Sequence, residues 1–225
     1  GDLQHDHRVK QITKELELPV AIASVLVGNG VDSTDKTKAF FKPDIDQLHD
    51  PMLMLDMEKA VERIVVALLD RQRIVVYGDY DVDGVTSVSL LYLFLKDMGG
   101  DVLYHIPERR SEGYGLSLDS VDLTQKRGAE VLITVDTGVT AISEIARANE
   151  LGIDVIVCDH HQPGHQLPNA YAILDPKREE DDYPFKELAA VGVCYKLCQA
   201  LTKRSSMPLD ACMRYIDLVA IGSAA

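Results

Sequence analysis

The sequence predicts an α/β fold: a parallel five-stranded sheet flanked by helices and preceded by an N-terminal helical arm. Three observations predict it. From residue 57 onward, short runs of β-branched residues alternate with segments whose apolar residues recur at helical spacing. Gly99-Gly100, Gly128 and Gly152 stand where three of those helices must stop. The runs, such as Val131-Leu-Ile-Thr-Val135, are apolar almost throughout, which suits strands covered on both faces and therefore parallel.

The elements follow in order. Residues 1–56 read as short helices that together form the arm. Ile22, Val25 and Leu26 are helically spaced before Gly28-Asn29-Gly30, and a second helix runs from Ser33 toward Phe41. Pro43 and Pro51 interrupt the stretch around Phe40-Phe41, which is expected to lie extended across another surface. Residues 57–225 form the main domain. Met57, Ala60, Val61, Ile64, Val65 and Leu68 mark its first helix. Strands are expected at 74–77, 102–105, 131–135, 155–157 and 171–174, with helices at 85–98, 118–126, 141–151 and 188–201. Leu209, Cys212, Met213, Ile216 and Val219 place a last helical stripe in the tail.

Composition narrows the class. In 225 residues, 46% hydrophobic and 26% charged composition excludes a disordered chain. No apolar run is long enough to span a bilayer, and the first ten residues are too polar for a signal peptide. Cys158, Cys194, Cys198 and Cys212 form no C-x-x-C pair, which excludes a zinc ribbon and suits buried thiols of a cytoplasmic protein. The net charge of −13 is the reverse of a nucleic-acid footprint, so a basic surface, if the substrate is nucleic acid, lies elsewhere. Carboxylates gathered on metal ions would account for part of the excess. The missing initiator Met and an end within the apolar stretch 217–225 read as the boundaries of a fragment.

The strand ends carry the chemistry. Asp79, Asp136 and Asp159 each follow a strand, and in an open parallel sheet ligands bind beyond the carboxyl ends. One Asp after a strand is commonplace, because Asp caps helices and turns. Here the first end is Asp79-Tyr-Asp81-Val-Asp83-Gly84 and the third is Asp159-His160-His161. Five carboxylates in one crevice repel strongly unless cations neutralise them. Oxygen ligands with imidazole and no thiolate favour Mn²⁺ or Mg²⁺. A carboxylate shared by two such ions is the arrangement that activates water for attack on phosphorus.

Look-alikes fall away. An EF-hand loop would need an acid where Leu90 stands. Asp81-Val-Asp83-Gly84 also resembles the haloacid-dehalogenase phosphatases, which have no use for a strand-ending Asp-His-His. Asp136-Thr-Gly138 mimics an aspartic-protease signature in the wrong fold class, and there is no P-loop.

Taken together, Tyr77-Gly-Asp79-Tyr-Asp81-Val-Asp83-Gly-Val-Thr-Ser87, Val135-Asp136-Thr-Gly138 and Cys158-Asp159-His160-His161 resemble three motifs of the DHH phosphoesterase superfamily. Phe40-Phe41-Lys-Pro43, the loop from Ile106 to Leu116 and Leu174-Asp-Pro-Lys177 narrow the resemblance to the RecJ family of single-strand-specific DNA exonucleases. It implies a metal-dependent phosphodiesterase that removes nucleotides from the 5′ end of single-stranded DNA, in DNA repair and recombination. It further implies Asp79, Asp81, Asp83, Asp136 and His160 as metal ligands, with Asp136 bridging two ions. His161 and Asp159 become the catalytic pair, with His161 as a metal ligand or a donor to phosphate and Asp159 orienting the histidines. Arg109, Gly113 and Tyr114 become substrate contacts. The family's fourth motif supplies another Asp, expected directly after residues 218–225, and its further domains, expected to carry the basic DNA surface, lie beyond this chain. Hydrolysis of oligonucleotides, nucleotides or pyrophosphate, a haloacid-dehalogenase-like phosphatase, and metal binding without catalysis are the alternatives. The remaining histidines, the Cys194 and Cys198 pair and the loop 179–182 read as structural or solvated. Thr86 and Ser87 are expected to open the helix after the first motif.

Overall fold

The five apolar runs pair into one parallel sheet in the computed structural model, which describes residues 3–108, 115–208 and 210–224. These residues divide into two units, one up to His49 and one from Asp50. In the first, α1 (Leu3–Leu16), α2 (Val20–Gly28) and α3 (Thr34–Phe41) enclose a small core of Val9, Ile12, Ala23 and Val27. Ser33 caps α3 by accepting a hydrogen bond from the Lys36 N–H at 3.2 Å.

The second unit begins with a 3₁₀ turn at Pro51–Leu53 and α4 (Met57–Leu69). Then come β1 (Arg73–Gly78), α5 (Val82–Asp97), β2 (Asp101–His105), α6 (Leu118–Lys126), β3 (Val131–Val135) and α7 (Ile142–Glu150). β4 (Asp154–Cys158), β5 (Ala172–Leu174) and α8 (Ala190–Arg204) follow, and a 3₁₀ turn at Ala211–Tyr215 leads into α9 (Ile216–Ala224). The tail is therefore a 3₁₀ turn and a helix rather than one continuous stripe.

Alternate strand residues feed two cores, as the period of two requires. Ile74, Val76, Ile133 and Ile156 pack with α4, α5 and α8, whereas Val75, Tyr77, Leu132 and Val155 pack with α6 and α7. All four cysteines are buried free thiols on the α8 side. α5 packs against α8 and α9. A Cβ on Gly222 would sit 2.3 Å from Thr86 Oγ1, so only glycine lets α9 approach this closely.

The loop 179–182 departs from the solvated segment that its charges predict. Asp181 is buried, and its carboxylate accepts from the Leu55 N–H at 3.0 Å and the Tyr183 N–H at 2.7 Å. Arg178 donates to Asp56 Oδ2 at 2.9 Å and to the Ile173 carbonyl at 2.8 Å. Together these bonds fasten residues 50–56 beside β5.

The strand order is β2-β1-β3-β4-β5. The chain moves outward from β1 to β2, then returns across β1 to β3, so the direction reverses between β1 and β3. In such sheets the crevice for a ligand opens at that switch point, beyond the carboxyl ends. Gly78 is level with Val135, Val135 with Cys158, and Cys158 with Leu174. The next residue on each strand is an acid: Asp79, Asp136, Asp159 and Asp175. Register alone sets the four in a row.

Candidate metal centre

Asp79 and Asp136 flank the switch point, and both are almost fully buried. Asp79 Oδ1 accepts from the Tyr80 N–H at 2.7 Å, and its Oδ2 is buried with no hydrogen-bond partner among the described residues. Burial raises the Asp79 pKa above the usual carboxylate value. Asp136 stands in the left-handed region at φ 57, and its N–H still continues the ladder to the Cys158 carbonyl. That backbone conformation is costly for a residue other than glycine and clusters at functional sites. Burial raises the Asp136 pKa to about 6, against the pull of the nearby His160 ring and with the Asp83 and Asp81 carboxylates adding to the rise.

The helix after β1 starts earlier than its apolar pattern suggests, and this decides where the other first-motif acids go. Asp81 is its N-cap, accepting from the Gly84 N–H at 2.9 Å. Asp83 lies in the first turn, and its Oδ2 and Oδ1 accept from the Ala190 and Val191 N–H groups at 2.8 Å each. Those donors are the N-terminus of α8, where the helix dipole favours an anion. Gly84 permits the crowding: a Cβ there would lie 2.4 Å from the Asp79 carbonyl oxygen. Thr86 and Ser87 do not open α5. They are buried one turn in, with the Thr86 hydroxyl donating to the Val82 carbonyl at 2.8 Å.

His160 Nε2 lies 3.1 Å from Asp136 Oδ1 and 3.6 Å from Asp83 Oδ2. The closer approach is an ion-pair contact, because Asp136 Oδ1 receives no well-aligned hydrogen bond. The close Asp136 carboxylate raises the His160 pKa. Asp159 is buried, and both its oxygens are hydrogen-bonded. Its Oδ1 accepts from the His160 N–H at 2.8 Å, the His161 N–H at 3.2 Å and His161 Nδ1 at 2.7 Å, and its Oδ2 accepts from the Val139 N–H at 2.9 Å. Burial alone would raise the Asp159 pKa, but the bonds from His161 and Val139 hold it below the usual value. The same bond raises the His161 pKa to about 9, so near neutrality the ring is an imidazolium.

Among the described residues, two clusters have ligand atoms close enough to share a cation: Asp79, Asp81 and Asp136, and Asp136, His160 and His161. Asp136 belongs to both. Asp83 falls outside these clusters, although its carboxylate borders His160, and Asp159 has both oxygens hydrogen-bonded elsewhere. The donor set fits a hard divalent cation: buried oxygens without partners on Asp79 and Asp136, carboxylates raised toward neutrality, an imidazole and no thiolate. Arg109, Gly113 and Tyr114 lie outside the described residues.

One acid of the row escaped the reading of the sequence. Asp175 ends β5 as Asp79, Asp136 and Asp159 end their strands, and burial raises its pKa to about 6. The strand-end rule applied to Ala172-Ile-Leu-Asp175 was the signal that would have found it.

Known proteins share this arrangement. The family model described as "DHH family, N-terminal domain" matches residues 73–223. The chain is 41% identical over 218 residues to the single-stranded-DNA-specific exonuclease RecJ of Bacillus subtilis, covering 97% of this chain and 27% of the relative. A crystal structure of exonuclease RecJ bound to manganese superposes with TM-score 0.70 at 34% identity, over 76% of this chain and 43% of that one. RecJ from Thermus thermophilus in complex with Mn²⁺ superposes with TM-score 0.77 at 26% identity, over 96% of this chain and 30% of that one. This chain thus spans less than half the length of each.

Proposed function

The chain belongs to the DHH family, and on that premise we propose that it is the catalytic core of a RecJ-type exonuclease that removes nucleotides from the 5′ end of single-stranded DNA. One observation carries the reading. Asp136 is held at the switch point in both ligand clusters, with a buried oxygen that has no well-aligned donor, as a carboxylate shared by two cations requires. Asp79, Asp81, Asp83, Asp136 and His160 would hold Mn²⁺ or Mg²⁺. Asp83 can serve while capping α8, since each carboxylate oxygen has a second lone pair. When bound, the two ions supply Lewis acidity at the phosphate and acidify a water.

The chain's own residues do the rest. Asp159 holds His161 through Nδ1, and the protonated ring is proposed to donate a hydrogen bond to the phosphate. The α5 N-terminus, drawn tight by Gly84, sets the Asp79 and Asp81 carboxylates against one another. Arg109, Gly113 and Tyr114 are proposed to hold the DNA, with most of the strand's grip supplied by parts of the relatives beyond this span.

The test is Mn²⁺-dependent digestion of single strands labelled at one end. Early release of a 5′ label, abolished by chelator and absent on duplex, is expected. Release of the 3′ label first, or digestion in the presence of chelator, would overturn the reading.

A further inference from the structure

Asp175 is a buried acid with an unused oxygen. Its Oδ1 accepts from the Lys177 N–H at 2.8 Å, closing the turn after β5, whereas Oδ2 is buried and has no hydrogen-bond partner among the described residues. Leaving a buried carboxylate oxygen unpaired is costly, so the position implies a donor. The register sets Asp175 beside Asp159, and its carboxylate feels both Asp159 and His160.

His160 presents the complementary need. Its Nε2 faces Asp136 and Asp83, the side on which a cation is proposed. A ring that offers the Nε2 lone pair to a cation carries its proton on Nδ1, and that N–H needs an acceptor to fix the tautomer and the ring plane. Asp159 is committed elsewhere: its Oδ1 already takes three donors, two of them from His161, and its Oδ2 is turned to the Val139 N–H. Among the strand-end acids, Asp79 and Asp136 belong to the proposed ligand set. Asp175 is left.

We propose that Asp175 is the positioning residue of His160, its Oδ2 accepting the Nδ1 proton directly or through one water. The assignment rests on the metal reading above and gives the end of β5 a part in it. Asp175→Asn is the informative variant, because it keeps the size and the acceptor for Lys177. The amide now turns a donor toward the ring, which favours the wrong tautomer.

The experiment is ¹⁵N–¹H correlation of the imidazoles in the Mg²⁺-loaded chain, with His160 assigned by the signal lost in His160→Gln, beside calorimetric titration with Mn²⁺. In the wild type, His160 should be protonated at Nδ1. In Asp175→Asn it should shift toward the Nε2 proton, and Mn²⁺ affinity should fall by about 10–100-fold, the range for outer-shell partners of ligating histidines. His161, bonded to Asp159, should be unchanged. Asp175→Ala, which removes the acceptor without adding a donor, should weaken Mn²⁺ less than Asn does, and the metal-free melting temperature of Asp175→Asn, which keeps the Lys177 bond, should stay at or above wild type. An unchanged His160 tautomer in Asp175→Asn would overturn the proposal, whether affinity is kept or lost, since a loss would then be one of charge alone. A wild-type chain that binds neither ion would instead overturn the metal reading, and this assignment with it.

Discussion

Asp136 brings together a left-handed backbone, burial and a carboxylate crowded by two others. In Asp136→Asn the side chain still tolerates φ 57, while the charge that burial penalises is gone. The variant should melt at or above wild type without metal, yet lose turnover by more than about 100-fold, beyond the range of an outer-shell change. Differential scanning calorimetry and the end-label assay check the two halves separately. Protons report the same crowding. Asp136 and Asp175 have pKa values near 6 in the folded chain against about 3.9 unfolded, so between those values the folded state binds more protons. Stability from these groups therefore falls as pH rises from about 4 to 6. His161, raised to about 9, adds stability that is complete below about 6.5 and is lost toward pH 9. Asp159 acts oppositely, its contribution lost only in strong acid. The metal-free chain should thus melt progressively lower from about pH 5 to 8, above which the buried Lys196 ammonium, its pKa lowered to about 8, loses its proton and opposes the trend. Saturating Mn²⁺, which competes with protons for the carboxylates, should reverse the slope through pH 6. A parallel pH profile with and without Mn²⁺ would refute this electrostatic account.

At the scale of elements, α5 and α8 are joined by one side chain. Asp83 caps α8 from 107 residues away, so Asp83→Ala should cost about 1–2 kcal/mol through the lost cap, read as a lower urea midpoint, besides any loss of metal. Gly84→Ala acts on position. Its Cβ meets the Asp79 backbone, which cannot swing aside as a side chain could, so about 1–3 kcal/mol of overpacking is expected together with displaced Asp79 and Asp81. Mn²⁺ titration should show a larger loss than thermal unfolding does. These links also explain what the sequence could convey. β3 and α6 were legible to the residue, because their apolar patterns are bounded by polar or glycine residues that no distant contact overrides. α1 was not singled out, since only Val9 and Ile12 anchor a stretch of charged and polar residues. The start of α5 was read late because Asp81 and Asp83 looked like loop acids, whereas one is its cap and the other lies in its first turn. Asp79, Asp81, Asp136 and His160 were readable from strand ends. The Asp83 bond to α8 and the burial of Asp181 depend on distant backbone and leave no local trace.

For the whole molecule, the separate cores predict separable units. A chain shortened to begin at Asp50 keeps both cores that sandwich the sheet and every residue of the proposed centre. It should fold, and its Mn²⁺ affinity should match that of the 225-residue chain. Circular dichroism and calorimetric titration test this, and loss of metal binding on removing residues 1–49 would show that the first unit supports the centre.

The level row of strand ends has one more consequence. Because side chains alternate along a strand, a one-residue slip of β1, β3 or β4 would turn its acid to the opposite side and break the ligand set. A slipped sheet would bury much the same apolar residues and differ little in hydrophobic content, but it could not take up the ion. Cation uptake would therefore favour the native strand pairing, since only the correctly threaded sheet could gain the binding energy.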